Sequence, residues 1–485
     1  MEEGKSHQSL KKRALSAVLW NAAQRYGSLI IAFFSNIVLA RLLSPGDFGL
    51  VGLLTVFISV ANVITESGFN SALIQRKNVE EIDYNTVFYW NIGISILMVV
   101  VLYFIAPLIA DFFDRPILSK LLRVESIILI INSFCIVQTT RLMKFLKFHI
   151  LAIRSIIATL FSTIVGITLA WLGYGVWALV WQAIAAATVG AVLLWKTTDW
   201  RPALQYDWGA FRRMFKFGAY ISFSSLCNTL YINLQSFIIG KSFSIPDLGF
   251  YSQAKKLETI PVDGTASVLN AVLFPIYATI VDDRERHIRL VRKNIKIITF
   301  VTFPLMLMLI LVAPYLFPIL FTDKWNDSIP MFQILCVAGM FSPLNMANVE
   351  IFRSIGEGKI YLILQTIKRV IGVSMILFFV QYGLFAMLWS IAAFGVITYM
   401  LNMFFTHNIF GYAYSKQLSD IIPNLLLAVG IFIIMMILFH TIEVRDNWIG
   451  LLVGGGSYFL LYLALAHFLK VSSYITLIDV LKKRK

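Results

Sequence analysis

Charge is scarce in this chain. Charged residues make up 14% of 485 positions, where a soluble domain carries about 25%. So few charges cannot cover the exterior of a water-soluble fold, and 59% hydrophobic residues with a mean hydropathy of +0.78 say the same. Cysteine is nearly missing. Cys135, Cys227 and Cys336 each fall inside an apolar run; their spacing offers no zinc site and they read as buried thiols. No glycine-rich phosphate loop of a nucleotide-binding protein occurs, and no metal or cofactor is expected. The basic stretch Lys11, Lys12, Arg13 leads into a long apolar run with no small-residue cleavage site, which predicts an uncleaved first helix and no signal peptide. The net charge is +15, yet the basic residues flank apolar runs and form no continuous patch, which argues against nucleic acid as a partner. Long hydrophilic loops are also absent on the side that the charge pattern assigns to the exterior. That leaves no room for a folded external domain of the kind a membrane sugar polymerase or transferase generally needs, and no enzyme is expected.

Long apolar runs dominate instead. A helix needs about 20 apolar residues to cross the hydrocarbon core, and fourteen runs qualify, near 15–40, 47–66, 84–110, 119–140, 148–172, 176–195, 214–240, 248–280, 295–321, 328–352, 360–381, 383–405, 420–440 and 447–469. The expected fold class is an all-α polytopic membrane protein. Pro261 and Gly264 interrupt the eighth run and predict a kink. With the N-terminus placed inside, the external loops hold six basic residues: Arg41, Arg115, Lys120, Lys241, Lys324 and Arg445. Arg284–Lys296 alone holds six on the cytoplasmic side. This alternation predicts that both termini are cytoplasmic.

Two stretches recur. Arg41–Val51, RLLSPGDFGLV, returns 200 positions later as KSFSIPDLGFY at Lys241–Tyr251, with Ser44 on Ser244, Asp47 on Asp247 and Gly49 on Gly249. Each copy joins two apolar runs, and Asp47 and Asp247 are placed to cap the second helix of each pair. Tyr174–Trp181, YGVWALVW, returns 208 positions later as YGLFAMLW at Tyr382–Trp389. Two copies of a unit of roughly 200 residues imply a duplicated protein. The expected division is an N-terminal six-helix lobe over 1–210, a C-terminal six-helix lobe over 211–410, and two additional helices with a basic tail over 411–485. An even number of spans per copy makes the repeats parallel, which predicts two lobes facing each other across a cleft.

Ionisable groups within spans are costly and point to protein interiors or watery cavities. Asn21, Gln24, Arg25 and Ser28 share one face of the first span. Ser224, Asn228, Tyr231 and Gln235 share one face of the seventh. Gln253, Lys255, Lys256, Glu258 and Asp263 crowd the eighth. Each has a structural alternative: interhelical hydrogen bonds for the amides, an i,i+3 ion pair for Lys255 and Glu258, snorkelling for Arg25. Arg25 lies about 15 Å into its helix, far for snorkelling, and Lys255 and Lys256 replace Thr55 and Val56 of the first copy, which favours a functional role. Arg154 is expected to snorkel. Lys368 and Arg369 point in different directions, so at most one faces any given cavity. The cluster Arg141, Lys144, Lys147 reads as topogenic.

Leu39–Leu50, LARLLSPGDFGL, followed by Glu66–Arg76, ESGFNSALIQR, resembles the polysaccharide-transporter branch of the multidrug/oligosaccharidyl-lipid/polysaccharide flippase superfamily, and within it the Wzx-type lipopolysaccharide and exopolysaccharide flippases, including the colanic-acid exporter type. Where that family often has an acidic residue, this chain has Gly46. The resemblance implies two six-helix lobes in a V, with the first, second, seventh and eighth helices lining the cavity. It also implies transport of undecaprenyl-pyrophosphate-linked sugar units across a bacterial inner membrane, with membrane lipid and other polysaccharide-assembly proteins as partners. No family assignment carries over to the charged residues, so their roles rest on position and chemistry. Arg25, Lys255, Lys256 and Arg369 are the candidate headgroup cations, and Asn21, Gln24, Asn228 and Gln235 the candidate sugar ligands. Glu66, Glu258 and Asp263 are the carboxylates that a competing drug or cation antiporter would use for coupling.

Overall fold

The computed structural model describes residues 2–76, 78–278, 284–354, 358–442 and 446–482. In chain order the helices are α1 (Glu2–Leu42), α2 (Pro45–Glu66), α3 (Phe69–Gln75), α4 (Glu81–Phe112), α5 (Pro116–Glu125), α6 (Ile127–Lys144), α7 (Phe148–Trp171), α8 (Val176–Thr197) and α9 (Trp208–Ser242). There follow α10 (Ile245–Ala278), α11 (Arg284–Phe321), α12 (Ser328–Ser354), α13 (Gly358–Phe379), α14 (Leu384–Phe410), α15 (Tyr414–Ile442), α16 (Asn447–Phe468) and α17 (Ser472–Lys482). Among the described residues there is no strand. Over its described residues every expected span is helical, the fourth as α5 and α6 abutting at Ser126. Among the described residues, twelve helical stretches are long and apolar enough to cross a membrane. α9, at 35 residues, has the length but is too polar to be counted with them. α10 runs unbroken through Pro261 and Gly264. Of the three thiols, Cys135 and Cys336 are buried and Cys227 is half-buried.

The chain divides into two compact units, Met1–Gly249 and Phe250–Lys485. α9 opens the second sequence repeat yet packs on α2, α3 and α4 in the first unit. The boundary of compactness therefore lies one helix beyond the boundary near residue 210 that the sequence repeat leads one to expect.

The duplicated turn is reproduced atom for atom. Ser44 is the N-cap of α2, and its Oγ accepts from the Asp47 amide at 3.2 Å. The Asp47 carboxylate returns to the Ser44 amide at 2.9 Å and accepts from its hydroxyl at 2.6 Å. Ahead of α10, Ser244 and Asp247 make the same three bonds at 3.2, 3.0 and 2.7 Å. Each is a reciprocal capping box. Serine is thus the cap, and the aspartate completes the box from the helix's third position. Gly46 has no part in it. The second recurrence is structural too: Gly175 and Gly383 both hold positive φ, +55° and +106°, immediately before α8 and α14.

The two boxed turns also meet. A Cβ on Gly49 would lie 2.0 Å from the Ile245 carbonyl oxygen, and one on Gly249 would lie 1.9 Å from that of Pro45. All four residues belong to the first unit, and the contacts exchange under the 200-residue shift: 49 touches 245 as 249 touches 45.

The connection between α8 and α9 is strapped to the start of α4. Trp200 Nε1 donates to Glu81 at 2.8 Å, the Ala203 amide to Asn85 at 3.1 Å and the Asp207 amide to Thr86 at 3.1 Å. Asp207 then caps α9, accepting from the Ala210 and Gly209 amides at 2.6 and 3.1 Å. Those amides hold its carboxyl below the ordinary carboxylate value. A depressed folded value means that the cap stabilises fully above the unfolded value and is lost as pH falls through the folded one. Asp207→Asn, which keeps the capping oxygen, should therefore flatten the acid side of the stability curve, read as melting midpoint against pH. An unchanged acid limb would count against the cap as its source.

In the second unit α11 is central, packing on α12, α15, α16 and α17. Its aromatic side chains Phe303, Phe317 and Phe321 are fully buried with Trp325 and Phe332. The buried tyrosines of α16 find carbonyls, Tyr458 at Ala428 (3.0 Å) and Tyr462 at Phe300 (3.2 Å), which lowers the cost of burying their hydroxyls.

Candidate functional site

In the first unit the candidate polar residues lie on α1 and α9. α1 packs on α7, where Ser28 and Ser155 bond hydroxyl to hydroxyl at 3.0 Å, and Gln182 of α8 donates to Ser35 at 3.1 Å. Ser28 is therefore an interhelical contact. Further toward the N-terminus, Gln24 is half-buried, and Asn21 and Arg25 are exposed. α9 is the clearer case. It grips α2 through Ser222, whose hydroxyl donates to the Val63 carbonyl (3.4 Å), and Asn233, whose amide donates to Ser59 (3.1 Å). At about 100° per residue, Ser222 and Asn233 share one face and the stripe Ser224, Asn228, Tyr231, Gln235 lies on the opposite one. Ser224 and Asn228 are exposed, Tyr231 and Gln235 half-buried. The stripe therefore lies on the side of α9 turned away from α2.

In the second unit, Lys255 of α10 donates to Glu258 at 2.8 Å, one turn on. Lys255 keeps 45% of its side-chain surface, while Glu258 keeps 3%. The carboxylate sits against α12, where a Cβ on Gly339 would approach its Oε1 to 2.7 Å. Lys255 is therefore largely neutralised by a local ion pair. Lys256 and Asp263 are exposed on the same helix, as is Glu66 at the end of α2. Gln253 is fully buried, and neither end of its amide has a hydrogen-bond partner among the described residues. Lys368 and Arg369 diverge as expected. Arg369 is half-buried on α13, whereas Lys368 is buried and donates to Asn402 of α14 at 2.6 Å. Asn402 in turn donates to Asn345 of α12 at 2.8 Å.

Other basic residues depart from the expected reading. Arg154 does not snorkel. Its guanidinium lies against Gly190 of α8, where a Cβ would meet it at 3.3 Å, and donates to Thr139 of α6 at 3.3 Å. Arg141 and Lys144 hold structure as well as charge. Arg141 pairs with Glu81 at 2.7 Å and stacks 4.6 Å above the Tyr84 ring. Lys144 donates to the Leu73 and Arg76 carbonyls that end α3, at 3.0 and 2.8 Å. A set unnoticed in the sequence gathers at the start of α11. Asp420 of α15, 2% exposed, accepts from Arg292 at 2.7 and 3.0 Å and from the Tyr412 hydroxyl at 2.6 Å, with Lys296 at 3.3 Å. No local spacing could reveal a pair 128 residues apart.

Residues 38–330 match the model of a family described as polysaccharide biosynthesis proteins. That is more than half of the chain, and it includes both copies of the boxed turn. The chain belongs to this family. The resemblance read from Leu39–Leu50 and Glu66–Arg76 falls within the match. Among curated relatives of this family member, the lipopolysaccharide biosynthesis protein WzxC of Escherichia coli is 25% identical over 338 residues, covering 68% of each chain. The teichuronic acid biosynthesis protein TuaB of Bacillus subtilis is 26% identical over 364 residues, covering 72% of this chain and 73% of its own. In fold, the protein is similar to a lipid II flippase, MurJ, in an inward closed conformation, with a TM-score of 0.74 at 16% identity over 93% of this chain and 98% of that one. It is also similar to an inward-facing multidrug transporter of the MATE family, with a TM-score of 0.62 at 18% identity over 81% and 98%. Among the described residues, the all-helical polytopic architecture expected from the sequence is the architecture found.

Proposed function

We infer that this protein is a flippase that moves lipid-linked oligosaccharide units across a membrane for surface polysaccharide assembly. The observation that carries the reading is the polar face of α9. A helix long enough to span a membrane turns a stripe of hydroxyl and amide groups away from the helix it packs on. Such a face is costly against lipid and favourable against a hydrated, hydroxyl-rich cargo. Family membership supports the same reading, as do the names of the curated relatives and the fold shared with a lipid II flippase. The multidrug-transporter fold is matched with a lower TM-score, and the drug-antiporter alternative is not favoured. Nothing in the reading requires covalent chemistry.

In finer detail, the cargo is a polyprenyl-diphosphate-linked glycan, its sugars meeting Asn21, Gln24, Asn228 and Gln235. The candidate diphosphate contacts are Arg25 in the first unit and, taken by itself, the set Lys256, Lys255 and Arg369 in the second. The membrane is the bacterial inner membrane, both termini are cytoplasmic, and transport proceeds by alternating access. Glu66, Glu258 and Asp263 are the groups through which an ion would couple. Replacing one charged contact to a diphosphate removes about 1.5–3 kcal/mol, or roughly ten- to a hundredfold in affinity. Arg25→Ala and Lys256→Ala should therefore each slow transfer of a labelled lipid-diphosphate sugar in proteoliposomes at least tenfold, with Lys255→Ala milder because Glu258 already engages it. If both variants transported the lipid at the parental rate while Glu66→Gln or Asp263→Asn abolished efflux of a cationic dye, the antiporter reading would replace this one.

A further inference from the structure

A second basic site lies in the second unit, away from every residue assigned above. A cavity of about 370 Å³ opens at the start of α11, lined by Arg289, Arg292, Lys293, Lys296 and Thr476. The four cations fall at i, i+3, i+4 and i+7, one face of the helix. α17 supplies the facing wall. It is docked there: Asn424 donates to the buried Ser473 hydroxyl at 2.9 Å, and the Tyr474 ring lies 6.0 Å from Phe300 and 5.6 Å from His467.

The cations are unequally occupied. Arg292 and Lys296 share Asp420, which fixes the Arg292 guanidinium by a two-pronged bond and leaves its outer edge toward the cavity. Arg289 pairs with Glu285, an exposed residue one turn earlier on the same helix. Among the described residues no carboxylate lies within ion-pair distance of Lys293. Four cations against two carboxylates leave a surplus of two positive charges. Thr476 spends its hydroxyl proton on the Ser472 carbonyl, so recognition falls to the cations. Close in sequence to Thr476 the chain shows exposed hydrocarbon: Ile475 of α17, Phe468 at the end of α16 and Leu469 in the turn between the two helices. Fixed cations beside exposed hydrocarbon match a phosphate that carries acyl chains better than a free one.

We propose that this cavity binds the phosphate headgroup of an anionic glycerophospholipid, with Arg289 and Lys293 as its movable contacts and Arg292 and Lys296 as a cationic floor held in place by Asp420. The site is independent of the transport reading. The test uses the full-length protein in detergent, titrated with phosphatidylglycerol or phosphatidylcholine and followed by native mass spectrometry. Wild type should retain phosphatidylglycerol at least fivefold more than phosphatidylcholine. Arg289→Gln/Lys293→Gln should lose that preference with an unchanged melting midpoint, since neither side chain holds a buried partner. Lys293→Glu should lose it alone, and Arg115→Gln/Lys120→Gln, in the first unit, should keep it. Retention of the preference by the double variant and by Lys293→Glu would overturn the proposal. So would displacement of the lipid by millimolar inorganic diphosphate, which would make this a site for free phosphate.

Discussion

Alanine at Gly49 or Gly249 should leave little folded protein. Each added methyl would sit about 2 Å from a carbonyl oxygen of the opposing turn, and neither partner is a side chain that can swing aside. Both are backbone, Ile245 in one case and Pro45 in the other, and both belong to helix starts already locked by a capping box. Overpacking a core costs typically about 1–3 kcal/mol when side chains can adjust. Here a helix start must move by more than an ångström, so the cost should exceed that range. The measurement is the monodisperse fraction after size exclusion, with the melting midpoint of whatever folds. Gly93→Ala is the control: a Cβ there meets nothing within 4 Å, and alanine in a helix interior gains up to about 1 kcal/mol. A Gly49→Ala protein as abundant and as stable as Gly93→Ala would refute the close approach.

Asp420→Ala should be the most damaging change in the second unit outside such contacts. Its carboxylate is 2% exposed and answers Arg292, Lys296 and Tyr412 together. Removing it leaves two cations and a hydroxyl facing one another. Breaking a buried pair costs about 3–5 kcal/mol, and because Arg292 retains a third of its surface the loss should fall near the lower end, about 3 kcal/mol. Burial, then the bond to Asp420, pushes the Tyr412 hydroxyl up from its ordinary value, so it stays a donor at any physiological pH. Tyr412→Phe should cost less, near the lower end of about 1.5–3 kcal/mol, as one hydrogen bond to a charged acceptor is lost while Asp420 keeps both cations. Denaturant or thermal titrations of the two variants should preserve that order. Equal stabilities would mean that the cations find water as good a partner as Asp420.

The sequence was legible where physics is local. Hydropathy alone located the spans, because the bilayer imposes a length. The 200-residue recurrence located both turns, but the cap was assigned to the aspartate, and the structure gives it to the serine three residues earlier. Polar stripes were visible as stripes, but which side of a helix they occupied was not. Ser28 proved to bond to Ser155, 127 positions away, while the stripe on α9 proved to face away from α2. Arg154 was misread because depth along a helix says nothing about the direction in which a side chain leaves it; the groove that accepts its guanidinium is made by Gly190, on another helix. Asp420 was invisible for the same reason, its cationic partners lying 124 and 128 residues upstream. Lys255 shows both sides of this boundary. Its i,i+3 pairing with Glu258 could be read from spacing, and the burial of Glu258 against Gly339 could not.

The meeting of Pro45 with Gly249 and of Gly49 with Ile245 has a bearing on ancestry. When residue i touches j and the shifted j touches the shifted i, the surface is complementary to itself, as in a two-fold dimer. A chain holding one copy of the turn could make that contact only by pairing with a second molecule of its own kind. Fusion of two such genes would then turn an association that depends on concentration into one that is always made. Once joined, either half is free to change alone, and lysines at 255 and 256 opposite threonine and valine at 55 and 56 record one such divergence.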